Sequence, residues 1–238
     1  MTGVARERFS RLLVEGIVIV ASILAAFALD RWWESVRARR EEQQVLQALD
    51  VEFRAARDQL ESYSALHQRV LHSVELVRGE LDQAVREGSP FVVLPDTSLA
   101  LLYIPPTTQL TLGTLDGLVG SARLGVIRNA ELRSSLASWG STLDELTEEE
   151  WASRQYVNTE LDRAFRSRVN VRPFRWVFSD GTLDVGGAGS TSRVPADVEI
   201  LGVVASRYAL LDHAIDEFPP VLEELDRLLE LIARSRSE

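Results

Sequence analysis

The sequence predicts a mainly α-helical protein: an N-terminal transmembrane helix that continues into a bundle of long helices, with a small β-hairpin and loop insertion. Three observations lead there. Residues 12–29 form an apolar run whose only charged member is Glu15. Between Asp30 and Arg78 no Gly or Pro interrupts the chain. Apolar side chains then recur at alternating three- and four-residue steps in three separate stretches, the spacing that lines one stripe of a helix.

The elements follow in order. Residues 1–11 form a short basic tail with Arg6, Arg8 and Arg11. Residues 12–33 form the predicted membrane helix. At 1.5 Å per residue, the apolar run is about 27 Å long, close to the hydrocarbon thickness of a bilayer. Glu15 falls in its first turn, where the positive end of the helix dipole favours a carboxylate that can also reach the headgroups. Asp30, Trp32 and Trp33 close the run at the other end, where interfacial aromatics are expected. Ala26-Phe27-Ala28 also has the small-x-small form of a signal-peptide cleavage site. A retained anchor is the preferred reading, because Glu15 interrupts the apolar stretch and the stretch exceeds the usual length of a cleaved signal.

Residues 34–238 form the extramembrane bundle, with long helices expected at about 34–87, 129–169 and 197–234. In the first, Leu46, Leu49, Phe53, Ala56, Leu60, Tyr63, His67, Val70, Val74, Val77, Leu81 and Ala84 make a continuous seam that another helix must cover. Gly88-Ser89-Pro90 ends it. Residues 88–113, rich in Pro and Thr, wrap over the bundle before a short helix around 114–121. Asn129 is a good N-cap for a stripe of Leu132, Leu136, Trp139, Leu143 and Leu146, which resumes through Trp151, Val157, Leu161 and Phe165. Glu148-Glu149-Glu150 reads as an exposed acidic turn. Trp176-Val177-Phe178 and Thr182-Leu183-Asp184-Val185, joined by Asp180-Gly181, read as a hairpin. A mobile glycine-rich loop is expected at 186–190. The last stripe uses Leu201, Val204, Tyr208, Leu211, Ile215, Phe218, Leu222, Leu225, Leu229 and Ile232, with a kink or short break at Pro219-Pro220.

Composition narrows the function. The formal charge is −10, and since the first forty residues are net positive by three, the rest stands at −13. Such a body repels phosphate backbones, so a nucleic-acid partner is disfavoured, and only the arginines beside the anchor suit lipid headgroups. Every basic residue is Arg, and Cys is absent, so lysine and thiol chemistry are excluded. His67, His72 and His213 belong to no metal-ligand pattern, and no cofactor is implied. No nucleophile elbow or phosphate loop occurs. His67 sits on the apolar seam, where a cross-helix hydrogen bond is the simple expectation.

The anchor resembles a family of uncharacterised bacterial single-span membrane proteins. Its pattern is Glu, a Val/Ile run, a small-Ile-Leu step, then Asp or Asn, one residue, and Trp. Here these are Glu15, Ser22-Ile23-Leu24, Ala26, Asp30 and Trp32. A second block matches in Thr114-Leu115-Asp116-Gly117-Leu118, Leu124-Gly125-Val126-Ile127 and Asn129-Ala130-Glu131-Leu132-Arg133. Ser22 replaces a usual glycine of the first block and Ala122 one of the second. The resemblance implies membrane attachment and a helical domain, without an activity.

The expected function is therefore binding or scaffolding by a bundle anchored in the bacterial inner membrane and placed in the periplasm, because a short arginine-bearing tail is the harder part to translocate. The partners expected are the lipid bilayer and a protein, either a second copy or another chain; Ala21 with Ala25 and Ser22 with Ala26 permit close helix approach. One alternative is a small-ligand sensor centred on His67 and the 88–113 wrap, acting through a partner. Another is an enzyme using carboxylates or Arg123, Arg128 and Arg133 on a polar substrate.

Overall fold

The computed structural model describes residues 3–170, 176–179, 182–185 and 189–237, with side chains described for 22–170 and 189–237. Helix α1 runs unbroken over Gly3–Glu87, 85 residues, or about 130 Å at the α-helical rise. There follow strand β1 (Phe91–Pro95), α2 (Asp96–Leu102), α3 (Gly113–Gly120), a single 3-10 turn at Leu124–Val126 and α4 (Ala130–Tyr156). A π turn at Val157–Leu161 leads into α5 (Asp162–Arg166), then β2 (Trp176–Ser179), β3 (Thr182–Val185), β4 (Thr191–Pro195), α6 (Val198–Asp216) and α7 (Phe218–Ser237).

The apolar side chains gather in two clusters stacked along α1. The lower one joins Leu46 to Leu60 of α1 with Leu115 and Leu118 of α3, Leu132 to Leu146 of α4, and Phe218 to Ile232 of α7. The upper one joins Val70 to Leu81 of α1 with α2, Val157 to Phe165, Val194 of β4, and Ile200 to Leu211 of α6. This sharing fixes the directions: α1 and α4–α5 ascend together, whereas α6–α7 descends between them and packs on both. Residues 88–129 bring the chain back down across the seam between α1 and α4.

The seam of α1 is as its spacing predicts, with every position from Leu46 to Ala84 buried except the half-buried Tyr63. Asn129 caps α4, its Oδ1 accepting from the Leu132 amide at 3.0 Å. The chain breaks at Glu217, and Pro219 and Pro220 occupy the first turn of α7, where backbone N–H groups have no helical acceptor to lose. Strands β2 and β3 pair antiparallel with Ser179 opposite Thr182; Asp180-Gly181, expected to join them, lie outside the described residues.

Four expectations need correction. Trp151 is not on the core stripe but exposed, while Glu150 and Ser153 take the buried positions between Leu146 and Val157. Glu150 is thus no part of an exposed turn. In α6–α7 the buried face is one residue earlier at alternate steps, through Ile200, Arg207, Ala214, Val221 and Leu228; Leu201, Tyr208, Ile215, Leu222 and Leu229 border it. Finally, Phe91–Pro95 and Thr191–Pro195 form an antiparallel two-stranded sheet with Phe91 opposite Pro195 and Pro95 opposite Thr191, in stretches expected to be wrap and loop ends. Of the loop expected at 186–190, residues 186–188 lie outside the described residues. Ser190 is fixed: its Oγ donates to Asp96 Oδ2 at 2.6 Å, and its carbonyl accepts from the Asp96 amide at 3.0 Å.

Two helices end in the same way with different residues. At the end of α1, Gly88 has φ +70°, and the Ser89 and Gly88 amides return to the Ala84 and Val85 carbonyls at 2.9 and 3.2 Å. At the end of α3, Ala122 has φ +55°, and the Arg123 and Ala122 amides return to Leu118 and Val119 at 2.8 and 3.1 Å. Both are Schellman motifs, in which a left-handed residue ends the helix and the last carbonyls are satisfied. The Cβ of Ala122 makes the left-handed conformation cost about 1 kcal/mol there.

Candidate functional site

Two places in the molecule depart from an ordinary bundle. The first is a polar layer between the two apolar cores. His67 stands on α1 between Leu60 and Val70, and Glu150 and Ser153 on α4 between Leu146 and Val157. Arg207 stands on α6 between Val204 and Leu211, and Thr108 comes from the wrap. All five are buried.

Their partners can be assigned atom by atom. His67 Nδ1 lies 2.9 Å from the Tyr63 carbonyl, which only accepts, so Nδ1 holds a proton. Nε2 then faces Glu150 Oε1 at 3.1 Å, an ion-pair distance without good hydrogen-bond alignment. Glu150 also accepts from the Thr108 amide and from Thr108 Oγ1, each at 2.7 Å. Phe218 packs edge-on against the His67 ring, with centroids 4.9 Å apart.

Arg207 is fully buried, and among the described residues no carboxylate lies within ion-pair distance of it. Its Nε and one Nη donate to the Leu102 and Ile104 carbonyls at 3.4 and 2.7 Å, and the other Nη donates to Ser153 Oγ. Burial lowers its pKa from the ordinary guanidinium value to about 9, with Tyr156 acting in the other direction. It stays protonated at neutral pH. The cation sits at the C-terminal end of α2, where helix carbonyls favour positive charge. Nearby, Tyr103 has its pKa raised by burial and by Asp162, against a smaller opposing effect of Arg166.

The chemistry of this layer is positional. Its donors and acceptors are turned on one another and on the wrap; the one hydroxyl that meets a carboxylate there, Thr108 Oγ1 on Glu150, is buried with it. Among the described residues no group of three His, Cys, Asp or Glu side chains is arranged to hold a metal. His67, the centre of the sensor alternative, has its ring enclosed by Tyr63, Glu150 and Phe218. His72 and His213 are exposed.

The arginines of the enzyme alternative are also engaged in structure. Arg123 pairs with Glu41. The Arg128 amide donates to Glu42 Oε1 at 2.6 Å, and its side chain lies 3.3 Å from Glu42. Arg133 donates to the Ile127 and Arg128 carbonyls at 2.6 and 2.8 Å, closing the turn before α4.

The second departure is the stretch of α1 below the bundle. Residues 22–40 are exposed all round apart from the half-buried Val36. Ile23, Leu24, Phe27, Leu29, Trp32 and Trp33 are 51–64% exposed, and the two indole rings meet edge to face with centroids 5.8 Å apart. Of the residues expected to mark the anchor, Asp30, Trp32 and Trp33 lie on this stretch, all exposed, and the side chain of Glu15 lies outside the described residues. Among the described residues no helix is long and apolar enough to cross a membrane. The run predicted to do so begins at residue 12, ten residues before side chains are described.

Sequence reasoning missed Glu150 and Arg207. Each had a signal, a charged residue in step with apolar ones on both sides. Comparisons with family models, with curated proteins and with solved structures return no match for this chain.

Proposed function

We propose that this chain is a membrane-anchored binding or scaffolding protein. Residues 12–33 of α1 would lie in the bilayer, and the bundle would be presented in the periplasm as a rigid surface for a protein partner. The observation that supports the reading is the lower stretch of α1, where large apolar side chains point in every direction. A helix packed on a protein or lying on its surface shows one apolar stripe; one that is apolar all round needs an apolar medium around it. The apolar sequence from residue 12, with Glu15 as its one charge, continues the same character, and the tryptophan pair has the chemistry of a membrane–water boundary. The resemblance to single-span proteins agrees with this reading. A polar layer closed on itself and arginines engaged in backbone contacts favour binding over catalysis.

The test is fractionation of the full-length chain carrying a C-terminal reporter that is active only outside the cytoplasm. The expected result is protein that resists alkaline extraction from membranes, has an intact N-terminus by mass spectrometry, and shows an active reporter. Recovery in the soluble fraction, or a mature chain cut after Ala28, would overturn the anchor. An inactive reporter would overturn the periplasmic placement alone.

A further inference from the structure

We propose that the α1 stretch just above the predicted membrane boundary binds the headgroups of anionic phospholipids through Arg31, Arg39 and Arg40, the last two on the same side as Trp32 and Trp33. This rests on the anchored reading and adds a lipid preference to it. At this end of the molecule four arginines of the bundle are paired: Arg123 with Glu41, Arg128 with Glu42, Arg234 with Glu230 and Arg236 with Asp50. Arg31, Arg37, Arg39 and Arg40 are exposed and have no ion pair or hydrogen bond among the described residues; of these, Arg37 falls on the side of the helix that carries Asp30, Glu34 and Glu41.

Helix geometry separates the charges further. At 3.6 residues per turn, Trp32, Trp33, Val36, Arg39 and Arg40 share one side of α1, and Arg31, at the level of the tryptophans, stands about 80° round the helix from it toward Glu34. Asp30, Glu34 and Glu41 share the opposite side, and Glu41 is held there by Arg123. The result is an aromatic and cationic face free of carboxylates, directly beyond the exposed Ile23, Leu24, Phe27 and Leu29.

With Trp32 at the boundary, Arg39 and Arg40 stand about 10–12 Å further along the axis, and long flexible side chains can bend back toward phosphates. That distance exceeds the screening length of about 8 Å at physiological salt, so the attraction acts through side chains that bend back toward the phosphates and through Arg31 at the boundary itself. Charge complementarity favours lipid over a second copy on this face, since parallel copies would set arginine against arginine. It also offsets the repulsion between an anionic surface and a body that stands at −13 outside its first forty residues.

The test reconstitutes the full-length chain into vesicles in which either phosphatidylglycerol or phosphatidylcholine has brominated acyl chains, and follows quenching of tryptophan fluorescence. The expected result is a preference for phosphatidylglycerol of at least about threefold, lost at about 1 M salt, where the screening length shrinks to about 3 Å. The triple variant R31Q/R39Q/R40Q should lose the preference, and R31K/R39K/R40K should keep it. Equal quenching by the two lipids overturns this proposal while leaving the anchor intact. No quenching by either overturns the anchor itself.

Discussion

The lower and upper halves of the bundle solve the same problem with opposite chemistry. In both, residues 88–129 must cross the seam between α1 and α4 without regular structure for much of their length, leaving backbone groups to be satisfied. At the lower end the crossing chain is starting a helix or a turn and presents N–H groups. Carboxylates of α1 meet them: Glu52 accepts from the Thr114 amide at 2.8 Å and from Thr114 Oγ1 at 2.7 Å, and Glu42 accepts from the Arg128 amide. At the upper end the chain is leaving α2 and presents carbonyls, so the answering group is the guanidinium of Arg207. Between them Thr108 presents an amide and a hydroxyl, and Glu150 takes both. The sign of each charge placed in or beside the core follows from which end of a backbone segment it faces.

The largest test of this contrast is at the layer between the halves. Glu150→Leu should cost about 3–5 kcal/mol in urea denaturation, since it leaves the buried Thr108 amide and hydroxyl without their acceptor and removes the group that faces His67. The double change His67→Leu with Glu150→Leu should recover part of that loss, because replacing a buried pair is cheaper than breaking it. Equal losses in the single and double variants would show that the two side chains are not coupled.

A smaller effect sharpens the donor–acceptor contrast. Glu52→Ala should cost about 1–2 kcal/mol, with amide exchange faster around 112–116. Arg207→Met should speed exchange around 102–106 at a comparable or lower cost, because the lost carbonyl contacts are offset by removal of an unpaired buried cation. Hydrogen-exchange mass spectrometry that found both variants loosening the same stretch would break the division into two independently pinned halves.

The smallest test concerns the two helix ends. Ala122→Gly should raise stability by about 1 kcal/mol, since glycine takes the left-handed conformation without the Cβ clash. Gly88→Ala should lower it by a similar amount, about 1 kcal/mol. Thermal unfolding of the two variants should move in opposite directions; a loss in Ala122→Gly would mean that its methyl group makes contacts worth more than the strain.

Much of this architecture was legible because it is local. The seam of α1, the cap at Asn129, the break before Pro219 and the pairing of β2 with β3 are each written in a few neighbouring residues. What escaped depends on distant partners. Trp151 attracts attention as a large apolar side chain, yet Glu150 is the buried neighbour because Thr108, 42 residues earlier, and His67 wait for it. In α6 the choice between Arg207 and Tyr208 is decided by two carbonyls more than a hundred residues away. The β1–β4 pairing joins segments about as far apart, and nothing in either short run names the other. Hydrophobicity finds a stripe but chooses the larger apolar residue at its border, so a stripe that includes a satisfied charge is read one step out of phase.

The unbroken course of α1 sets a mechanical condition on everything attached to it. No proline, bulge or loop decouples its lower third from the two stacked cores, so this helix acts as an axle: turning or tilting it at one end changes which way His67 faces at the middle and how β1 is presented at the far end. Whatever docks on the bundle does so at a fixed height and heading relative to the foot of that axle, and a swivel inserted near residue 40 would abolish that alignment without touching either core.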